Sequence, residues 1–254
     1  MEVHAHSHTA TDPDSHRGRK KWTHYFWEFL MLFLAVTLGF FVENQREHYI
    51  EHQREVKYIN ALSSDLGADI SRLTDIIQQR NERDLLLDSF IIVLNSKNSL
   101  QFSNDIYYYN SIATRGAAFR FTPVDGTMQQ LKNAGNLRLI QKAFVSDSIT
   151  SYDVATRAYV YGNTDEEEIL DTYRNLAEGV FDGKILNDMR DENNNLHRLA
   201  YSPPLRLTGD AAFRLSYRIH MLIAYNRTMR REAKKMLHKA TNLLELIKEE
   251  YHLK

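Results

Sequence analysis

The 254-residue chain contains no cysteine. Disulfide bonds, cysteine-based zinc sites and thiol catalysis are therefore excluded. Glycine and proline are scarce, with 10 and 4 residues, and this scarcity favours long helices over a fold of strands and tight turns. Positive and negative charges nearly cancel, to a formal net charge of −1, so no overall field indicates nucleic acid as a partner.

Sequence signatures of catalysis and nucleotide binding are also missing. The chain has no His-Glu-x-x-His, no Gly-x-Ser-x-Gly, no phosphate-binding loop and no dinucleotide fingerprint. We therefore expect a protein that is not an enzyme and uses no cofactor. His4, His6 and His8 alternate in a polar tail, residues 1–21, and are weak candidates for metal ligands; a disordered, solvated tail is the alternative.

A single hydrophobic run is long enough to cross a bilayer. Residues 22–42 would span about 31 Å as a helix, close to the hydrocarbon thickness of about 30 Å, and no charge occurs from Phe29 to Val42. Aromatic residues gather at its start, as at a membrane interface. Because no Ala-x-Ala-like cleavage step follows, we expect a retained transmembrane helix; a buried core helix is the alternative.

The charges beside this segment predict its orientation. Arg17, Arg19, Lys20 and Lys21 precede it with no acid among them, and such compact positive charge marks the cytoplasmic side. We therefore expect a cytoplasmic N-terminus, a periplasmic C-terminal part, and the inner membrane of a Gram-negative cell as the location.

Several polar or small residues lie inside the predicted span. Glu28 is costly in lipid, His24 lies one helical turn before it, and Thr37 and Gly39 are of the kind found in contacts between membrane helices. They suggest a polar contact between helices, or ion coupling. The alternative is that Glu28 reaches the cytoplasmic interface.

Two long amphipathic helices are predicted. Residues 43–97 form a stalk helix whose apolar seam is interrupted by Asp69, Arg80 and Arg83, which cost stability but can fix register. Residues 208–254 form a coiled-coil-like helix. Its seam consists of Leu215, Ile219, Leu222, Asn226, Met229, Ala233, Met236, Ala240 and Leu243. We expect the two helices to form an antiparallel pair; packing of each seam against other copies is the alternative.

Residues 98–207 are predicted to form a distal cap of short helices, which makes the whole chain all-α. One helix should run from about Lys142 to Tyr161, and Thr164 should cap the next, with acidic residues 165–168 as its solvated first turn. The aromatic residues of the cap are expected to pack in its core, with a pocket as the alternative.

Two stretches resemble an uncharacterised family of Bacteroidota single-pass membrane proteins, a domain of unknown function. They are residues 21–46, around the hydrophobic run, and residues 128–140, a helix followed by a Gly-Asn-Leu step. The resemblance implies a Gram-negative inner-membrane setting and implies no reaction.

The sequence thus predicts a membrane-tethered periplasmic scaffold or assembly subunit. It would be homo-oligomeric through the span and the long helices, with the lipid bilayer as its other partner. The alternative is a periplasmic sensor that binds a ligand or peptide in residues 98–207. Since the cytoplasmic tail is too short for an output domain, a sensor would need a membrane-protein partner.

Overall fold

The computed structural model describes the backbone of residues 17–113, 115–116, 119–133 and 135–253, with side chains from residue 22 onward. In these ranges the chain forms six α-helices and no β-strand, which confirms the expected all-α class. The helices are α1 Arg17–Leu94, α2 Ser103–Ala113, α3 Gly126–Asn133, α4 Ala143–Ala177, α5 Gly183–Asp188 and α6 Gly209–Tyr251. Short 3₁₀ turns occupy Ser99–Phe102 and Asn136–Leu139.

By its internal contacts the chain divides into two units, one ending at Arg54 and the other spanning Glu55–Lys254. Within the second unit the long helices α1 and α6 run antiparallel, as expected. Ser216, near the start of α6, hydrogen-bonds Asn95 just after the end of α1. At the other end, Tyr251 donates to Glu55.

Helix α6 begins directly after Thr208, the first residue of the predicted helix, and ends at Tyr251, three residues before the predicted end. The Thr208 side chain accepts a hydrogen bond from the Ala211 backbone N–H at 3.2 Å, which satisfies one of the free donors of the first turn. Asp210 adds a negative charge at the positive end of the helix dipole. The helix stops at His252, whose backbone is left-handed.

Helix α4 differs from the predicted arrangement, because it is one continuous helix across the expected break at Thr164. The absence of a side chain at Gly162 explains how α4 packs so closely on α6. Its carbonyl accepts a hydrogen bond from the Tyr225 hydroxyl at 3.0 Å, and a Cβ added there would lie 2.8 Å from the Met229 sulfur. Packing along α6 therefore outweighs the local signal for a helix start.

The core of this unit consists of two apolar clusters. The first joins α1, α3, α4 and α6 through residues such as Leu66, Leu131, Ile149 and Ala233. The second joins α1, α2, α4, α5 and α6; its members include Leu87, Ile106, Tyr173, Ile185 and Ile219. Along each of the three long helices, polar residues separate the two clusters.

Candidate functional site

A buried polar cluster lies between the two apolar clusters of the core. We define it as Arg80, Arg83 and Asp84 of α1, Glu166 of α4 and Asn226 of α6. Arg80 and Asn226 are 0% exposed and Glu166 is 3% exposed. Charged side chains are rarely buried to this extent unless they are paired.

Glu166 is the centre of the cluster because it binds both arginines. Arg80 contacts it bidentately, at 2.7 Å from Nη2 to Oε2 and 3.2 Å from Nη1 to Oε1. Arg83 donates to Oε1 from its own Nη1. One carboxylate thus serves two guanidinium groups.

The Nη2 atom of each arginine also donates to a main-chain carbonyl, either at the last residue of α2 or in the segment that follows it. Arg80 Nη2 donates to the Phe119 carbonyl at 3.1 Å, and Arg83 Nη2 donates to the Ala113 carbonyl at 3.4 Å. The Phe119 ring centroid lies 4.6 Å from the Arg83 Cζ, close enough for a cation–π contact. The arginines therefore hold this segment against the long helices.

Asn226 connects the cluster to α6. Its Oδ1 accepts from Arg80 Nη1 at 3.0 Å, and its Nδ2 donates to the Arg80 carbonyl at 2.9 Å and to Asp84 Oδ1 at 2.7 Å. Asp84 also accepts a hydrogen bond from Arg230. The polar seam residue of α6 thus contacts α1 by three specific hydrogen bonds.

Burial and charge act in opposite directions on the pKa values of the cluster. Burial alone would raise the pKa of Glu166, but its hydrogen bonds and charge pairing with Arg80 and Arg83 outweigh burial and hold it below its usual value. The pKa of Arg83 is lowered, mainly because the side chain is buried, and the positive charge of Arg80 lowers it further. Glu166 and Asp84 act in the opposite direction on the pKa of Arg83, but they do not outweigh its burial.

Two further acids in the seam of α1 bind main-chain groups. Asp69 accepts from the Val124 N–H at 2.9 Å and from the Tyr152 hydroxyl at 2.7 Å. Burial is the main reason that the pKa of Asp69 is raised, despite these two hydrogen bonds. Glu55 accepts from the Gln141 N–H at 2.9 Å. The polar interruptions of the seam therefore anchor the segment from α2 to α4.

Two open grooves border this framework. The first, of about 540 Å³, lies among α2, α4 and α5 and is lined by residues such as Asn110, Ala177, Phe181, Gly183 and Leu186. The second, of about 630 Å³, has Arg83 in its lining. Both volumes fall within the range of small-molecule sites.

The predicted span residues all lie on α1 in the unit that ends at Arg54. Every side chain from Trp22 to Val42 is exposed, apart from the half-buried Leu30. In the described part of the chain, α1 is the one helix long and apolar enough to cross a membrane. His24 and Glu28 are one turn apart, Gly39 is about three turns further along the same side, and Thr37 lies on the opposite side of the helix.

The predicted seam of α6 is buried within the chain itself. The structure places each of its nine residues in the core against α1 and α4. The three interruptions of the α1 seam are also buried. Both seams are therefore filled by the chain's own helices.

Glu166 is the central residue that sequence reasoning missed, since it was assigned to a solvated first turn. Its partners carried a signal: two arginines in an apolar seam need a buried acid nearby.

Tyr107 and Phe121 pack in the core as expected, whereas Tyr108 lines the second groove.

The arrangement offers buried ion pairs and two grooves. Among the described residues, no group of three or more His, Cys, Asp or Glu side chains is placed to hold a metal ion. His4, His6 and His8 lie outside those residues.

No protein-family profile, curated protein or solved structure matches this chain, so the resemblance to a Bacteroidota membrane family stays a prediction.

Proposed function

We propose that the protein is a non-enzymatic, membrane-anchored helical scaffold. Residues 22–42 lie in the bilayer as a permanent tether, the N-terminus is cytoplasmic, and the unit Glu55–Lys254 is periplasmic in a Gram-negative inner membrane. The observation that carries the proposal is the exposure of the whole apolar stretch of α1. Exposure of that apolar surface to water would be strongly unfavourable, whereas lipid covers its apolar side chains favourably.

The scaffold would assemble with further copies through the span. The seams of the two long helices are occupied within one chain, which leaves the span as the large exposed apolar surface of α1. Glu28, Ala35 and Gly39 share one side of it, and Ala35 and Gly39 are one turn apart. Small residues at this spacing let two membrane helices approach closely, and a contact there would also remove Glu28 from lipid.

The mass of the purified full chain in detergent tests this assembly. We expect a fixed oligomer that dissociates when Gly39→Leu places a bulky side chain on the contact side, and that weakens in Glu28→Leu. Thr37→Leu is the matched control, because it adds a leucine on the opposite side and should leave the mass unchanged. A monomer at every concentration, or equal effects of the two leucine variants, would contradict assembly through this side.

The topology is tested separately with reporters fused to the C-terminus. A reporter active only in the periplasm should give signal, and one active only in the cytosol should not. The reverse result would overturn the proposed orientation whatever the oligomeric state.

A second candidate function is ligand sensing, favoured by the groove among α2, α4 and α5, which lies within residues 98–207. Its lining combines apolar residues with a buried amide, as ligand sites do. A ligand bound there should co-purify with the native protein and be detected by native mass spectrometry. Gly183→Trp, at a position where an added Cβ meets nothing within 4 Å, should remove the ligand, and Gly126→Trp, equally unhindered at the start of α3, should not.

A further inference from the structure

The second groove brings positive charge and hydrogen-bond donors together. It lies between α1 and α2, and it is also lined by Arg115, by Phe119 and by residues 194–196. The lining residues that matter for ligand chemistry are Gln79, Glu82, Arg83, Tyr108, Arg115 and Phe119.

Arg83 supplies buried positive charge beneath this groove. Its side chain is 1% exposed, and its Nε is buried without a hydrogen-bond acceptor among the described residues. The guanidinium shares Glu166 with Arg80. Because one carboxylate compensates two guanidinium groups, the charge at Arg83 is incompletely neutralised.

The ion pairs around Arg80 and Arg83 do not neutralise the extra positive charge. Asp84 and Asp88 form salt bridges with two other arginines, Arg227 and Arg230. Asn226 joins these ion pairs to Arg80, Arg83 and Glu166. The joined group holds four guanidiniums and three carboxylates, which leaves one positive charge. Arg83 is the buried arginine of this group that lines the groove, and a buried cation attracts an anion more strongly than the same cation in water.

The rim of the groove adds an accessible cation. Arg115 is exposed and forms no salt bridge with any described residue. A guanidinium binds carboxylate or phosphate by two parallel hydrogen bonds. The Gln79 amide can donate as well, and the half-buried Tyr108 presents part of its aromatic ring to an apolar part of a ligand. Glu82 is the one acid in the described lining, and it accepts a hydrogen bond from Gln78 at 3.1 Å.

We infer that this groove binds a small anionic ligand that carries a carboxylate or phosphate group. Arg115 and Gln79 bind the anionic group directly, and Arg83 stabilises it from beneath. The inference extends the ligand-sensing candidate to a second groove, and it depends on neither the membrane anchor nor the oligomer.

Calorimetric titration of the full chain in detergent tests the site, with inorganic phosphate and citrate as separate probes at constant ionic strength. We expect saturable binding of at least one probe. Gln79→Glu introduces negative charge at nearly constant shape and should weaken binding by about tenfold or more. Arg115→Ala removes an exposed side chain and should weaken it by about fivefold or more without affecting folding.

The controls make the same chemical changes outside the groove. Gln130→Glu lies exposed on α3 and Arg214→Ala exposed on α6, and each should change the dissociation constant by no more than about twofold. Binding of phosphate alone would identify a phosphoryl ligand, and binding of citrate alone a carboxylate ligand. Failure of both probes to saturate, or binding that survives Gln79→Glu and Arg115→Ala, would overturn the inference. The particle mass should be the same in all four variants, so this result and the test of assembly are distinguishable.

Discussion

Asp69 and Arg80 bind main-chain groups of the segment between α2 and α3, and Arg83 binds the carbonyl of Ala113, the last residue of α2. Backbone groups without a partner in regular secondary structure need such hydrogen bonds wherever water does not reach them. The interruptions of the α1 seam therefore have a direct structural use. They replace apolar contacts with hydrogen bonds that a heptad of leucines could not make.

Replacement of Glu166 should be among the most destabilising single changes in the chain. Glu166→Gln leaves two buried guanidiniums without a counter-charge, and we expect a loss of about 3–5 kcal/mol in unfolding free energy. Glu167→Gln is the control, because Glu167 pairs with Arg120 and Arg174 at the surface and should cost no more than about 1 kcal/mol. Denaturant unfolding in detergent compares the two, and equal losses would contradict the central role of Glu166.

Asp69 and Glu166 should affect the pH dependence of stability in opposite directions. The lowered pKa of Glu166 means that its stabilisation is present above the ordinary carboxylate pKa and disappears as pH falls through its folded-state pKa. The raised pKa of Asp69 means that its contribution declines as pH rises from about 4 toward its folded-state value.

Thermal unfolding of Asp69→Asn across acidic and neutral pH measures the second effect. We expect the variant to lose more stability relative to the native chain at low pH than at neutral pH. The same comparison for Glu166→Gln should show the opposite trend, with the loss shrinking in acid. Parallel curves for the two variants would refute these assignments.

At the scale of elements, α4 shows how packing overrides a local signal. Thr164 and the acids that follow it form a plausible helix start, yet the helix continues through them. Glu166 points into the polar cluster and Tyr225 binds the Gly162 carbonyl, so the contacts with α1 and α6 depend on this stretch being helical.

Two glycines inside long helices should respond oppositely to a side chain. Gly162→Leu would force a bulky group against Met229 and Tyr225, and we expect a destabilisation of about 1–3 kcal/mol. Gly67→Ala meets nothing within 4 Å and should stabilise α1 by about 0.5–1 kcal/mol because alanine favours the helix. Unfolding free energies of both variants provide the test, and a gain in stability for Gly162→Leu would contradict close packing there.

For the whole molecule, the main division is between the exposed apolar stretch of α1 and the unit that buries its own core. Residues 22–42 are exposed, whereas the unit Glu55–Lys254 contains both apolar clusters and the polar cluster between them. The folded unit therefore has its own core and does not need the span for it.

A chain that starts at residue 50 should consequently remain soluble without detergent and unfold cooperatively on heating. The full chain should need detergent, because the exposed apolar stretch of α1 would otherwise associate. Size-exclusion chromatography and thermal unfolding measure both properties. Aggregation of the shortened chain would show that the unit depends on residues before 50.

The sequence by itself determined the all-α class, the two long antiparallel helices and the apolar stretch of α1. These follow from helical periodicity, the scarcity of glycine and proline, and local caps such as Thr208, all of which depend on near neighbours. Tertiary structure alone decided that α4 continues past Thr164, that Glu166 is buried between two arginines, and that Arg83 lies beneath a groove. The contacts of Glu166 with the two arginines join residues more than 80 positions apart, and no local pattern records which acid a buried cation will meet.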